Sequence, residues 1–134
     1  MSSDNQIKVA IADDHSVFKQ GIETVLSYSP GFNLMLKANN GADLLEKLKD
    51  NQPDVRLLDL RMPVMDGLTT LVELRKHYPM IKVVILSMNL DTSIIKEAIK
   101  LGANGHLLKT ADPDTILNTL RECNRLDNFV SLVA

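Results

Sequence analysis

The chain alternates short apolar runs with amphipathic stretches five times. The apolar runs are IKVAIA (7–12), FNLMLKA (32–38), DVRLLDL (54–60), KVVILS (82–87) and NGHLLK (104–109). After each run, apolar residues recur at spacings of three and four, which is typical of an α-helix with one buried face. Continuous apolar strands that alternate with helices predict a parallel sheet covered by helices on both faces.

The predicted fold is a flavodoxin-like α/β domain with a doubly wound, five-stranded parallel sheet. Five strand–helix units with right-handed crossovers fit the strand order 2-1-3-4-5, in which strand one lies beside strand three. The second strand alternates apolar and polar residues most strictly, which is typical of an edge strand. Gly102 is predicted to end the fourth helix, and Asp112 is predicted to cap the fifth.

Size and charge narrow the class of protein. A chain of 134 residues fits one domain with a single core. With 15 basic and 17 acidic residues, it lacks the excess positive charge that nucleic acid or an anionic membrane surface requires. The single cysteine, Cys123, excludes an internal disulfide. No apolar run approaches the ~18 residues that span a bilayer, and MSSDNQIKV does not resemble a secretory signal. We therefore expect a cytoplasmic domain.

Polar residues stand at the ends of four of the five predicted strands. Asp13 and Asp14 follow the first strand, Asp59 ends the third, Ser87 ends the fourth and Lys109 ends the fifth. Sites in open α/β sheets lie beyond the carboxyl ends of the strands, where the strand order reverses. Neighbouring parallel strands lie ~4.8 Å apart, so three carboxylates are expected to crowd one pocket.

Crowded carboxylates oppose one another's ionisation, and a cation relieves the repulsion. Hard oxygen ligands suit Mg²⁺, which takes only one or two carboxylates from the protein and keeps several waters. The long side chain of Lys109 could bring an ammonium to the same place. No second histidine stands at metal-ligand spacing from His15, so we expect no metal role for its imidazole.

Each of these residues also has a simpler interpretation. Asp13 or Asp14 could cap the first helix, Ser87 could be an ordinary loop residue and Lys109 a solvated surface lysine. All of these simpler interpretations would have to be true at the same time, at four separate strand ends. The joint pattern therefore favours a functional site over four unrelated polar residues.

The motifs that carry this pattern are IADDH (11–15), LLDLRMPVMDG (57–67), ILS (85–87) and GHLLK (105–109). With them the chain resembles the response-regulator receiver domain of two-component signalling. The resemblance covers residues 6–126 and is greatest to the NarL/LuxR-type subfamily, in which a DNA-binding helix-turn-helix follows the receiver. Residues 127–134 are predicted to end the last helix or to begin a linker to an effector domain that this chain lacks.

The resemblance implies the chemistry of the site. Asp59 would be the phosphoacceptor, which takes a phosphoryl group from a sensor histidine kinase. Mg²⁺, with Mn²⁺ able to substitute, would be held by Asp13, Asp14 and Asp59 and by the backbone carbonyl of Arg61. The chain would catalyse only its own phosphorylation and dephosphorylation, so it is not expected to be an enzyme that acts on a separate substrate.

The resemblance also implies a switch. Lys109 would pair with the phosphoryl oxygens, and the Ser87 hydroxyl would bind the phosphoryl group and draw its loop inward. His106 stands where the family usually has Tyr or Phe. It is either a tolerated polar variant or an imidazole that makes the inward state sensitive to pH. The expected output is transcription regulation through the missing DNA-binding domain. Formation of a homodimer on phosphorylation is possible.

Other classes of protein fit less well. A phosphatase of the haloacid-dehalogenase type needs a second acid two residues after its nucleophile, where this chain has Arg61. A flavin or nucleotide binder needs a glycine- or hydroxyl-rich loop after the first strand, whereas ADDHS is acidic. A phosphorylation-independent interaction module would normally have lost a site residue. Arg56 remains unusual, because a charge in the central strand has to reach the sheet edge or pair with an acid.

Overall fold

The structure, a computed structural model, describes residues 6–89, 91–126 and 130–131. The strands are β1 Ile7–Ala12, β2 Phe32–Ala38, β3 Val55–Asp59, β4 Lys82–Ser87, β5 Gly105–Leu108 and β6 Val130–Ser131. The helices are α1 Ser16–Ser27, α2 Gly41–Leu48, α3 Gly67–His77, α4 Thr92–Lys100 and α5 Pro113–Arg125.

The strands form one parallel sheet in the order β2-β1-β3-β4-β5-β6. The predicted order 2-1-3-4-5 is confirmed for the first five strands. Val130 and Ser131 extend the sheet, since they pair with Gly105 and His106 of β5. They are therefore strand rather than helix, and the rest of the segment 127–134 lies outside the described residues.

Each face of the sheet carries its own apolar core. Residues of α1 and α5 pack on one face, with Ile22, Leu26, Ile116, Leu120 and Cys123 buried there. Residues of α2, α3 and α4 pack on the other face, with Leu44, Leu48, Leu71, Leu74 and Ala98 buried there. The inner strands β1, β3 and β4 contribute to both cores, which explains why they read as nearly continuous apolar runs.

The edge strand β2 contains a bulge that the alternating pattern did not predict. Strict alternation would place Phe32, Leu34, Leu36 and Ala38 on one face. The register shifts so that Met35 is an extra residue. As a result, Phe32 and Leu34 pack in the core beneath α1, whereas Leu36 and Ala38 pack in the core beneath α2. One inserted residue thus lets an alternating sequence serve both cores.

Side chains cap four of the five helices at their amino ends. The capping residues are Asn40, Asp66, Asp91 and Asp112, each of which accepts a hydrogen bond from a backbone N–H of the first turn. At the carboxyl end of α4, Gly102 has φ +99°, as its predicted capping position requires. Among the helices that the structure describes, none is long and apolar enough to cross a membrane.

Arg56 lies in the middle of the sheet with no solvent exposure. Its Nη1 donates to the Pro53 carbonyl at 2.9 Å, and its guanidinium lies 5.7 Å from the centroid of the Tyr78 ring. Its Nε and Nη2 have no hydrogen-bond partner within the described part of the chain. The guanidinium thus binds the carbonyl of Pro53, just before β3, without reaching solvent, and it forms no ion pair with an acid among the described residues.

Candidate functional site

The carboxyl ends of β1, β3, β4 and β5 meet at one edge of the sheet, beside a cavity of about 420 Å³. Its lining includes Asp59, Arg61, Ser87, Asn89 and Lys109. At this end of the sheet, each of these strands changes to a polar residue where it leaves the core. The residues predicted at the strand ends therefore come together because parallel strands all end at the same edge.

Lys109 lies between two buried carboxylates. Its Nζ is 2.7 Å from Oδ2 of Asp13 and donates to Oδ2 of Asp59 at 3.0 Å. Burial raises the pKa of Asp59, the hydrogen bond from Lys109 lowers that pKa, and the charge of Asp13 raises it again. The balance is a raised pKa, so the folded protein holds the ionised Asp59 at a cost.

Asp13, Asp14, His15 and Asp59 form an acidic cluster, defined here by these four residues. Each offers one ligand atom, and these atoms lie within 4.8 Å of one another. Asp13 is fully buried, and its Oδ2 accepts no aligned hydrogen bond from the residues described, although the Lys109 ammonium is close. A buried carboxylate oxygen left without a hydrogen bond fits a divalent cation.

The contact of His15 with the carboxylates at the strand ends was not predicted from the sequence. Its Nδ1 lies 3.0 Å from Oδ1 of Asp13, 3.6 Å from Oδ1 of Asp14 and 3.9 Å from Oδ2 of Asp59. Only a second histidine at metal-ligand spacing was expected to make His15 a ligand. The available signal was the pair of aspartates that directly precedes it.

Ser87 and His106 form a second polar pair at the same edge of the sheet. The Ser87 hydroxyl donates to the Asn89 carbonyl at 2.8 Å, and its Oγ also lies 2.8 Å from Nε2 of His106. If the single hydroxyl proton goes to the Asn89 carbonyl, the neutral ring has to carry its proton on Nε2 and donate it to Ser87 Oγ. The His106 ring is buried, which lowers its pKa. A neutral imidazole thus fixes the predicted switch hydroxyl.

Gly67 positions Asp59 through close backbone contact. Its N–H donates to the Leu60 carbonyl at 3.0 Å. A Cβ at this position would collide with the Asp59 carbonyl oxygen and would lie 2.8 Å from Cα of Leu60. The first residue of α3 therefore has to be glycine for the loop after β3 to close over the end of the strand. The Arg61 N–H lies 3.5 Å from Oδ1 of Asp59, whereas the metal role of its carbonyl stays a prediction.

The family described as "Response regulator receiver domain" matches residues 9–121. The transcriptional regulatory protein DegU of Brevibacillus brevis is 33% identical over 119 residues, which are 89% of this chain and 50% of DegU. The nitrate/nitrite response regulator NarL of Escherichia coli K12 is 33% identical over 122 residues, 91% of this chain and 56% of NarL. The chain thus spans about half the length of these relatives.

Solved structures agree with this match. The signal receiver domain of the response regulator NarL from Mycobacterium tuberculosis superposes with a TM-score of 0.85 and 34% identity. That superposition covers 90% of this chain and 98% of the NarL receiver chain. A structure of RcsB dimers bound to DNA superposes with a TM-score of 0.86 and 25% identity, over 96% of this chain and 65% of the RcsB chain.

Proposed function

Because this chain belongs to the response-regulator receiver domain family, we propose that it is a phosphorylation-dependent switch in which Asp59 accepts the phosphoryl group. One observation carries the proposal: Asp59 is a buried carboxylate at an open cavity, and a lysine ammonium binds one of its oxygens. Carboxylates with this role form covalent aspartyl-phosphate intermediates. The donor proposed is a phosphohistidine of a sensor histidine kinase.

In the transfer, a carboxylate oxygen of Asp59 attacks phosphorus. The bond between phosphorus and the donor nitrogen breaks, and the departing imidazole keeps the electron pair. Lys109 provides the positive charge nearest to the acceptor oxygen, at 3.0 Å, and can follow the phosphoryl oxygens as negative charge gathers on them. Lys109 thereby orients the acceptor and stabilises the product.

The acidic cluster is proposed to hold Mg²⁺. Its hard carboxylate oxygens suit this ion, and the buried Asp13 Oδ2 has no aligned hydrogen bond among the described residues. The predicted ligands are Asp13, Asp14, Asp59 and the Arg61 carbonyl. When bound, the ion would neutralise charge on the phosphoryl oxygens. The protein's own part is to keep these oxygens together at the end of β1 and β3.

Ser87 and His106 are proposed to form the conformational switch that responds to phosphorylation. Phosphorylation replaces one carboxylate charge by about two negative charges on the phosphoryl group. Those charges can attract the Ser87 hydroxyl, which would then leave the Asn89 carbonyl. A bias of ~1.4 kcal/mol shifts a two-state equilibrium tenfold, so the exchange of one or two hydrogen bonds is sufficient.

The output proposed for the whole regulator is control of transcription. DegU is a transcriptional regulatory protein by name, and the RcsB structure contains dimers on DNA. This chain corresponds to about half of such a regulator. We place the receiver at residues 6–126 and assign DNA binding to a domain outside these 134 residues. Dimers that form on phosphorylation are part of this proposal.

The central test is incubation with acetyl phosphate and MgCl₂, followed by intact-mass measurement. The wild-type chain should gain one phosphoryl group, and Asp59→Asn should gain none. Asp50→Asn is the matched control, since Asp50 is exposed and lies just beyond α2. Equal phosphoryl gain in Asp59→Asn and in the wild type would contradict the proposal.

A further inference from the structure

Nδ1 of the His15 imidazole faces the carboxylates of Asp13, Asp14 and Asp59. Its Nδ1 lies 3.0 Å from Asp13 Oδ1, and its backbone N–H donates to the same oxygen at 2.8 Å. This backbone bond holds the start of α1 against the end of β1. The ring is thus anchored at its base, while 60% of the side chain stays exposed.

His15 occupies the amino-terminal capping position of α1 without acting as a cap. Asp66 caps α3 through its side chain, whereas His15 makes no side-chain capping bond. Capping positions usually carry Ser, Thr, Asp or Asn, because their oxygens accept from the first turn. The ring of His15 therefore has no structural task in its helix, and its direction needs another explanation.

The contacts of Nδ1 conflict with one another. Nδ1 lies 3.0 Å from the carboxylate of Asp13 and 2.9 Å from the ammonium of Lys109. An imidazole nitrogen either donates a proton or offers a lone pair, so it cannot serve both partners at once. If Nδ1 offers its lone pair, Nδ1 and Asp13 Oδ1 are two electron-donating atoms 3.0 Å apart. Two ligands of one metal ion have this spacing.

We propose that Nδ1 of His15 is a nitrogen ligand for a divalent transition-metal ion such as Zn²⁺, which the acidic cluster binds more tightly than Mg²⁺. The inference rests on the proposed function, because it concerns the same cation site. The oxygen ligands are Asp13 and Asp14, and the carboxylate of Asp59 lies next to them.

The geometry requires only small adjustments. Ligands at ~2.0–2.2 Å from one metal lie about 3 Å apart when adjacent and no more than about 4.4 Å apart when opposite. The Nδ1–Asp13 and Nδ1–Asp14 distances of 3.0 Å and 3.6 Å already fall in this range. A second observation, independent of His15, is that the buried Asp13 Oδ2 accepts no aligned hydrogen bond from the described residues and is balanced only by the Lys109 ammonium at 2.7 Å.

Ligand chemistry decides between the two ions. Mg²⁺ takes oxygen ligands and keeps much of its water, so it gains little from an imidazole. Imidazole nitrogen suits Zn²⁺, Ni²⁺ and Cu²⁺, whose affinities for mixed nitrogen and oxygen sites exceed that of Mn²⁺. A histidine placed among carboxylates therefore shifts the preference of this site toward transition ions.

The test is isothermal titration of ZnCl₂ and MgCl₂ into wild type, His15→Ala and His77→Ala. His77 is the matched control because it is an exposed histidine at the far end of α3. We expect wild type and His77→Ala to bind Zn²⁺ more tightly than Mg²⁺. In His15→Ala, the ratio of the two affinities should fall by at least about tenfold. An unchanged ratio, or wild-type Zn²⁺ binding no tighter than Mg²⁺ binding, would overturn the inference.

Electron paramagnetic resonance with Cu²⁺ gives a direct readout of the ligand. Wild type and His77→Ala should show coupling to one imidazole nitrogen, and His15→Ala should lose it. Circular dichroism checks that the variants fold, which is expected because the His15 side chain is largely exposed. Nitrogen coupling that persists in His15→Ala would assign the ligand to another residue and refute the proposal.

The two proposals fail in different ways. If wild type takes a phosphoryl group at Asp59 in MgCl₂ but its Zn²⁺ affinity does not depend on His15, only the nitrogen ligand is refuted. If Zn²⁺ binding depends on His15 but no phosphoryl group enters at Asp59, the metal site stands and the proposed function is refuted. Phosphorylation and titration are therefore measured on the same wild-type preparation.

Discussion

Ser87 Oγ and His106 Nε2 lie 2.8 Å apart. The Ser87 hydroxyl donates its proton to the Asn89 carbonyl at 2.8 Å. A neutral His106 ring with its proton on Nε2 can then donate the second hydrogen bond to Ser87 Oγ. A phenol or phenyl ring at position 106 could not donate from a ring nitrogen. The hydrogen-bonding state of the proposed switch residue thus depends on an imidazole.

The pair makes folding stability dependent on pH. Burial lowers the pKa of His106, so the unfolded chain takes up a proton first as the pH falls. The contribution of His106 to the free energy of unfolding should therefore be fully present above the unfolded pKa of about 6.5 and should be lost below it. Urea unfolding at several pH values between neutrality and mild acid measures this. His106→Tyr should weaken the dependence, and His77→Tyr, which alters an exposed histidine, should not. Identical pH profiles for His106→Tyr and wild type would contradict the prediction.

Replacing the acceptor carboxylate should stabilise the fold. The pKa of Asp59 is raised, first by burial, so stability is lost as the pH rises from the unfolded pKa through the folded one. At neutral pH the ionised Asp59 carries this cost. Asp59→Asn should increase the free energy of unfolding by roughly 0.5–2 kcal/mol. Asp50→Asn controls for the change of an exposed aspartate. Lower stability of Asp59→Asn in urea would show that the ion pair with Lys109 outweighs the burial cost.

Arg56 should be replaceable with a gain in stability. Burial lowers the pKa of Arg56 to about 10, so the guanidinium still carries its proton at neutral pH and the full cost of burying it opposes folding. Arg56→Met keeps much of the volume and removes the two donors without partners. We expect the free energy of unfolding to rise by about 1–3 kcal/mol. The control Arg125→Met removes an exposed arginine. A loss of stability in Arg56→Met would mean that the Pro53 and Tyr78 contacts outweigh the burial cost.

A methyl group at Gly67 should disturb the fold and the acceptor together. The new Cβ meets the Asp59 carbonyl oxygen, so Gly67→Ala should cost about 1–3 kcal/mol. Displacement of Asp59 should also slow phosphorylation by acetyl phosphate about tenfold or more. Gly21→Ala is the control, because a Cβ there meets nothing within 4 Å and a helical alanine adds about 0.5–1 kcal/mol. Wild-type stability and rate in Gly67→Ala would show that the loop can yield.

The parts of the fold that were predictable from sequence depend on local periodicity. Strand order followed from the alternation of strands and helices, and the meeting of Asp13, Asp59 and Lys109 followed from the common edge of parallel strands. The bulge at Met35 could not be predicted in this way, because it depends on the pairing with β1 and not on the pattern within β2.

Arg56 and His15 show a second limit. Both predictions were based on residue type alone. Arg56 was expected to reach solvent or to pair with an acid, and His15 was expected to bind a metal only together with a second histidine. The structure places Arg56 over Tyr78 and His15 beside Asp13, which depends on side-chain direction in the assembled fold. Such contacts become visible only once the neighbouring elements are in place.

Lys109 contacts His15 across 94 positions of the chain and Asp59 across 50. The acceptor therefore has its ammonium partner only after β5 has joined the sheet. On the proposed function, a kinase meets no carboxylate prepared for transfer on a chain in which β5 has not yet joined the sheet. Only a folded molecule can therefore be phosphorylated. The amount of phosphorylated protein then depends on the number of folded copies and not on copies that are still being synthesised or have unfolded.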